Sequence, residues 1–324
     1  MTDTDLAAAV RAAVDQWMKA TTPAEQQAQL STPEMLGRTL AGAAAATLVL
    51  AGQTAAGVRE FFLAAPFRLL RGAFDPTVLP DTPQAFFPVP DSPGTVAGRA
   101  TALAVHALLQ LETVSYGAEN EGNLFVNLVT MPGQGKVPEK SKKNMRGHTD
   151  GVSFPLNGED DAGNPRIAPS PDLVTLIGLR NPGQVPTRLM PLKDILALMT
   201  PKDIAELKRP QYAISSQTTF VLGMKKILGK ELVAFDVPVL TDCAAGTYVR
   251  FSHTKVVAQE EGGRRAAGFR QFRSGVQSSC PAGHRPARRP ADHQQPPGHP
   301  WARRGRRRSR RQFAVGSPLL RPGH

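Results

Sequence analysis

The sequence predicts a mainly β fold with flanking helices, an α+β arrangement in which a β-sandwich or jelly roll is buttressed by an N-terminal helical region. Three observations predict it. Residues 4–72 carry helical periodicity and helix-start signals. Beyond residue 120 the apolar residues fall into short alternating runs of strand length. The change of character happens once, helices first and strands after, with no internal repeat.

In the helical part, Asp5 is placed to cap a helix running through Lys19, and Thr32-Pro33-Glu34 reads as a cap followed by proline at the first helical position. Leu40–Val58 (LAGAAAATLVLAGQTAAGV) is apolar enough to raise a membrane question. Its wealth of Ala and Gly, with few large apolar residues, argues for a tightly packed core helix. Residues 73–96 are dense in proline and should be loop, and Val96–Leu111 should be an amphipathic helix. Strands are expected at Asn123–Met131, Leu173–Leu179, Thr218–Gly223, Leu232–Leu240 and Thr247–Ser252. Short helices are expected at Leu192–Met199 and Pro201–Lys208, and a Lys-rich flexible surface loop at 132–147.

Charge divides the chain at about residue 259. A net charge of +12 would by itself point to nucleic acid or an anionic surface. Fifteen of the 39 basic residues, all Arg, and three of the 27 acids (Glu260, Glu261, Asp292) lie in 260–324. That segment therefore holds the whole +12, while 1–259 balances 24 basic against 24 acidic side chains. From Gly262 onward the text is Arg, Pro, Gly, Ala, Gln and His without periodicity, which reads as disordered. The expected organisation is a folded domain over 1–259 and an Arg/Pro-rich tail over 260–324. Cys243 and Cys280 make neither a disulfide framework nor a zinc pattern, and the acidic start Met1-Thr2-Asp3-Thr4-Asp5 is unlike a signal peptide. Both fit a reducing cytoplasm, with no membrane partner.

The segment that carries chemistry is Arg146-Gly147-His148-Thr149-Asp150-Gly151. A His-x-Asp pair at a strand end projects an imidazole and a carboxylate from one face, because strand side chains repeat every second residue. Joined by a distant second His, that pair is the ligand set of non-haem Fe(II) sites, which leave positions for a bidentate 2-oxo acid and for O₂. Alone, the three-residue pattern is weak, and an exposed turn histidine satisfies it.

Context makes it specific. Tyr116-Gly117, Glu121-Gly122-Asn123-Leu124-Phe125, His148-Thr149-Asp150, Pro171-Asp172-Leu173-Val174-Thr175-Leu176, Leu179-Arg180-Asn181-Pro182 and Thr187 occur in one order and spacing. Over roughly residues 75–258 the chain resembles the clavaminate synthase-like and asparagine oxygenase branch of the TauD/TfdA dioxygenase superfamily. The resemblance implies a double-stranded β-helix with flanking helices. It implies an oxidoreductase that uses Fe(II), 2-oxoglutarate and O₂ to oxidise a C–H bond of a free amino acid or similar small molecule. It makes His148 and Asp150 two iron ligands. Thr187 becomes either a 2-oxoglutarate contact or a turn-closing hydroxyl, and Glu121 either a holder of a substrate amine or a solvated loop acid.

The family's remaining site residues, a distal His in a run such as His-Gly-Arg-Gly and an Arg that clamps the far carboxylate of 2-oxoglutarate, are missing as written. They reappear when the tail is read one nucleotide later. Trp301 is TGG and is followed by G, so its shifted codon is Gly. Pro300 to Arg303 then permit His-Gly-Arg-Gly. The same shift permits Ile-Val-Leu-Pro-Gly-Asp-Leu-Leu over 284–291, Ile-Ile-Asn-Asn-Arg over 292–296 and Asn-Ser-Arg-Trp over 312–315. Each match is permissive; four in register point to a frameshift between about 260 and 284. His253 precedes the distal run and is expected to be structural or at the surface. Two other readings stay open: a non-enzymatic binding protein whose basic tail takes polyanions, and an iron-independent pseudoenzyme that senses a metabolite. Arg303–Arg311 has charge but no interleaved aromatic platform, so no specific nucleic-acid partner is expected.

Overall fold

A computed structural model of the chain describes residues 1–76, 78–134, 141, 146–156, 159, 168–243, 246–259, 272 and 313–314. The N-terminal part is a layer of helices: α1 (Asp3–Ala20), α2 (Pro23–Leu30), α3 (Pro33–Leu50), α4 (Ala55–Leu63) and α5 (Pro93–Leu108). Their starts are chemically marked. Thr2 caps α1, with Asp5 as its reciprocal partner three residues in, so Asp5 completes a capping box and is not itself the cap. Thr22 and Ser92 cap α2 and α5 in the same way, each followed by proline. Thr32 occupies the cap position of α3 but turns its hydroxyl back to the Gln29 carbonyl.

Leu6, Val10, Val14, Leu36, Leu40, Ala44, Leu48, Ala100 and Leu103 fill the interior of this layer. α3 and α5 approach closely where Gly37 faces Leu103; a Cβ at residue 37 would lie 2.9 Å from the Leu103 carbonyl oxygen. Of the 40–58 segment, expected as one tightly packed core helix, Leu40, Ala41, Ala44 and Leu48 are buried in α3, Gly42, Ala43 and Ala46 are exposed, and the helix ends at Leu50 before α4 begins at Ala55. Among the described residues no single helix is long and apolar enough to cross a membrane; α3 and α4 reach that apolar length only together, across a 98° bend.

After the helices, the chain builds small sheets. β2 (Tyr212–Ser215) lies between β3 (Val233–Val237) and β6 (Val256–Ala258), both antiparallel to it. β4 (Leu240–Cys243) and β5 (Gly246–Val249) form an antiparallel pair, and β1 (Arg188–Leu189) pairs in parallel with β7 (Phe313–Ala314). Short helices α6 (Leu192–Leu196) and α7 (Pro201–Leu207) lie where they are expected. Met190, Ile195, Leu207, Tyr212, Ile214, Leu240 and Phe251 make a second core. Phe272 joins it, fully buried, with its ring edge against Phe251 at 4.9 Å.

The balance differs from the expectation: helices, not strands, dominate the described residues. Thr218–Gly223, expected as a strand, begins helix α8 (Thr218–Leu228). Its β-branched opening suggests a strand, but the deciding signal comes later, in Phe220 and Met224, buried one turn apart, and Gly229 as a left-handed cap. Asn123–Met131 and Leu173–Leu179 are not strands, because no neighbouring strand forms a ladder with them among the described residues. The second of these runs lies across α5 instead. Ile177 packs where Gly98 leaves room, and His106 at the end of α5 meets the Thr175 hydroxyl at 2.7 Å. β2 and β6 form where no strand is expected. Most of the expected 132–147 loop and nearly all of the 260–324 tail lie outside the described residues.

Candidate metal centre

The site grows from the end of β5. After Val249, Phe251 and Ser252 run antiparallel to residues 148–149. His148 bridges Ser252, the Thr149 amide donates to the Phe251 carbonyl at 2.7 Å, and the Phe251 amide donates to the Thr149 hydroxyl at 3.1 Å. This pairing ends at Gly151, where φ is +60°. A Cβ there would stand 3.1 Å from Pro171 and 3.3 Å from the Phe154 ring, so both backbone sign and space call for glycine. His148 therefore sits on extended backbone and Asp150 on a turn. The expected strand alternation does not bring them together; the turn does.

The two side chains do face each other, with His148 Nε2 3.5 Å from Asp150 Oδ1. His148 Nδ1 lies 2.8 Å from the Arg146 carbonyl oxygen. That oxygen can only accept, so Nδ1 donates to it, and Nε2 is the nitrogen turned toward Asp150. A metal-binding imidazole commonly uses one nitrogen on a backbone carbonyl in this manner. A nitrogen and a carboxylate oxygen on one side suit a divalent first-row ion such as Fe(II). The pair fits two thirds of such a site. Among the described residues no three His, Cys, Asp or Glu side chains gather closely enough to complete it.

The floor of the turn is aromatic. Tyr116 lies 5.1 Å from Phe154 and 5.7 Å from Phe220, whose rings meet each other edge-on at 5.0 Å. The Tyr116 hydroxyl donates to the Pro169 carbonyl at 2.5 Å. Burial, and then the negative charges of Asp172, Asp150 and Glu119, hold it well above the ordinary phenol range.

A residue with no signature in the sequence ties the turn down. Gln217, at the cap position of α8, donates from Nε2 to the Thr149 carbonyl at 3.1 Å and accepts from the Gly151 amide at 3.1 Å. Next to it, the Ser216 hydroxyl meets that of Ser153 at 3.0 Å. α8 can reach this position because Gly223 lets its backbone run directly against Ala118. Partners 66 and 68 residues apart leave no local pattern to read.

The other candidate residues stand apart from the pair. Thr187 is exposed immediately before β1, and Glu121 is exposed in a short 3₁₀ turn with φ of +56°. Neither is joined to His148 or Asp150 by a hydrogen bond or ion pair among the described residues. His253 is 5% exposed, with its ring edge-on to Phe251 at 6.1 Å, in a packing environment.

No family model matches the chain, and comparison with curated proteins finds no match in sequence. Solved structures do match. The non-heme iron oxygenase OrfP in complex with Fe, succinate and (3S)-hydroxy-L-Arg is 17% identical, with 85% of this chain and 77% of that chain covered at a TM-score of 0.51. OrfP with Fe and alpha-ketoglutaric acid gives 16%, 84% and 77% at 0.49. An asparagine oxygenase in complex with Fe(II), 2S,3S-3-hydroxyasparagine and succinate gives 15%, 78% and 78% at 0.48. At such identities the likeness speaks for fold alone: this chain has an α+β fold similar to that of the non-heme iron oxygenase OrfP.

Proposed function

We propose that the chain derives from a non-haem Fe(II)/2-oxoglutarate-dependent oxygenase of the clavaminate synthase-like branch, acting on a free amino acid or similar small molecule. The observation that carries this is the facing of His148 Nε2 and Asp150 Oδ1 at 3.5 Å, with the outer imidazole nitrogen held on a carbonyl. It stands in a fold similar to that of OrfP, which is seen with Fe, succinate and a hydroxylated arginine. In this reading the sheets belong to a double-stranded β-helix. His148 and Asp150 hold Fe(II), Thr187 contacts 2-oxoglutarate, and Glu121 faces the substrate amine. When bound, the iron and 2-oxoglutarate supply the O₂-dependent oxidation of a C–H bond. The protein's own part is to fix two ligands, hold the proton on His148 Nδ1 so that Nε2 stays free, and line the turn with the Tyr116, Phe154 and Phe220 rings.

Residues 284–324 take the place of the distal His, the oxoglutarate Arg and the last strands, through a frameshift. Phe272, buried against Phe251, supports an original frame that continues at least that far. The change of frame then falls between 273 and 284, and the oxygenase-like domain extends beyond 259. Iron and co-substrate binding by the chain as written is severely weakened, and loss of core strands leaves a sheet edge open.

Succinate release from 2-oxoglutarate, with Fe(II), air and a panel of amino acids, tests the reading. The chain as written should give no more than its Asp150→Ala variant; a chain whose tail follows the shifted frame should turn over at least about a hundredfold faster. Robust turnover by the chain as written, or a shifted-frame chain that folds and binds neither iron nor 2-oxoglutarate, would overturn it. The concentration of the +12 charge in 260–324 favours a second activity, nonspecific polyanion binding. It predicts salt-sensitive retention on nucleic acid that vanishes when 260–324 is removed.

A further inference from the structure

We propose that Gln217 is a positioning residue that sets the direction of the Asp150 carboxylate. This rests on the iron reading above. The Thr149 carbonyl belongs to the peptide plane on the N-terminal side of the Asp150 Cα, and the Gly151 amide to the plane on its C-terminal side. One carboxamide holds both, donating to the first and accepting from the second at 3.1 Å each. With the two planes fixed, φ and ψ of Asp150 are fixed, and so is the direction of its Cβ. This matters because Asp150 follows the extended pairing and lies on a turn beside a left-handed glycine, where no ladder constrains it.

The residue type follows from the task. Its two partners are one acceptor and one donor, so the side chain must offer one of each in a single plane. Glutamate keeps the acceptor but has nothing to donate, and alanine has neither. The support beneath Gln217 is rigid. Ser216 is fully buried, and its hydroxyl donates to the Leu232 carbonyl at 2.9 Å and meets Ser153 at 3.0 Å. Phe220 and Met224, one and two turns on, are buried. Gln217 thus transmits the placement of α8 to a metal ligand to which it makes no direct bond, the arrangement by which outer residues commonly tune metal affinity.

The test uses the full chain and two readouts. Amide exchange at Gly151, in metal-free protein, reads the clamp. Titration with Co(II), followed by its visible absorption, reads the consequence at the metal. In Gln217→Ala, Gly151 should exchange at least about tenfold faster, and Co(II) should bind about tenfold or more weakly, with an altered absorption band and an unchanged melting temperature. Gln217→Glu should keep Gly151 protected yet still weaken Co(II), and it decides the matter if the alanine variant does not fold. Equal Co(II) affinity and equal spectra in parent and glutamate variant would overturn the role of Gln217 while leaving the iron reading intact. If neither the parent chain nor a chain whose tail follows the shifted frame takes up Co(II), while Gly151 exchange still rises in Gln217→Ala, the iron reading falls and with it the metal role of Gln217.

Discussion

The helical layer and the sheet half of this molecule are held together differently. In the layer, helices of 8 to 18 residues close their own backbone hydrogen bonds, and Leu6, Val10, Leu40 and Leu103 meet between α1, α3 and α5. In the sheet half, strands are two to five residues long and order depends on distant partners, as where Thr149 meets Phe251 across 102 residues. The candidate metal centre belongs to the second kind. The helices of the layer therefore need no distant partner for their backbone bonds, whereas the site depends on the pairing of Thr149 with Phe251.

The comparison is broken most strongly in the layer itself. Leu103 is 1% exposed at the contact of α5 with α3, and Leu103→Ala should cost about 3 kcal/mol, read as a large drop in the denaturation midpoint. The next effect is at the site. Gly151→Ala places a side chain at positive φ against Pro171 and Phe154, and should cost about 1–3 kcal/mol. Because the turn would shift, metal affinity should fall together with stability, whereas Leu103→Ala should leave the metal affinity of the folded fraction unchanged.

The smallest effect sharpens the junction of the two halves. His106 ends α5 and bonds Thr113 and Thr175 through its two ring nitrogens, and burial lowers its pKa below the ordinary 6.5. Unfolded, it binds a proton more readily than when folded. Stability should therefore fall as pH drops through and below about 6.5, and the loss should level off below the depressed native value. The acid sensitivity of the melting temperature should shrink in His106→Gln. An unchanged pH profile in that variant would mean that the junction does not titrate there.

This division also explains what the sequence revealed. The helix starts at Thr32-Pro33 and Thr200-Pro201 were legible because cap position and proline adjoin, whereas α5 begins at Pro93, inside the stretch expected as loop and three residues before the expected Val96. His148 and Asp150 were legible for the same reason, being two residues apart. Their true geometry was not, since it depends on a turn closed by Pro171 and fastened by Gln217. α8 was misread because its opening Thr218-Thr219-Phe220-Val221 has strand propensity, and only packing of Phe220 and Met224 decides for helix. Leu173–Leu179 has the apolar content of a strand; what makes a strand is a ladder, and this run docks on α5 instead.

The most direct test of the centre is nuclear magnetic resonance of the imidazole nitrogens during titration with Zn(II), a diamagnetic substitute for Fe(II). Of the seven histidines, His148 should respond first and most at Nε2 while Nδ1 keeps its proton, and the response should be lost in Asp150→Asn. A His148 resonance that does not move while other histidines take the metal, or that moves equally without the Asp150 carboxylate, would contradict the account.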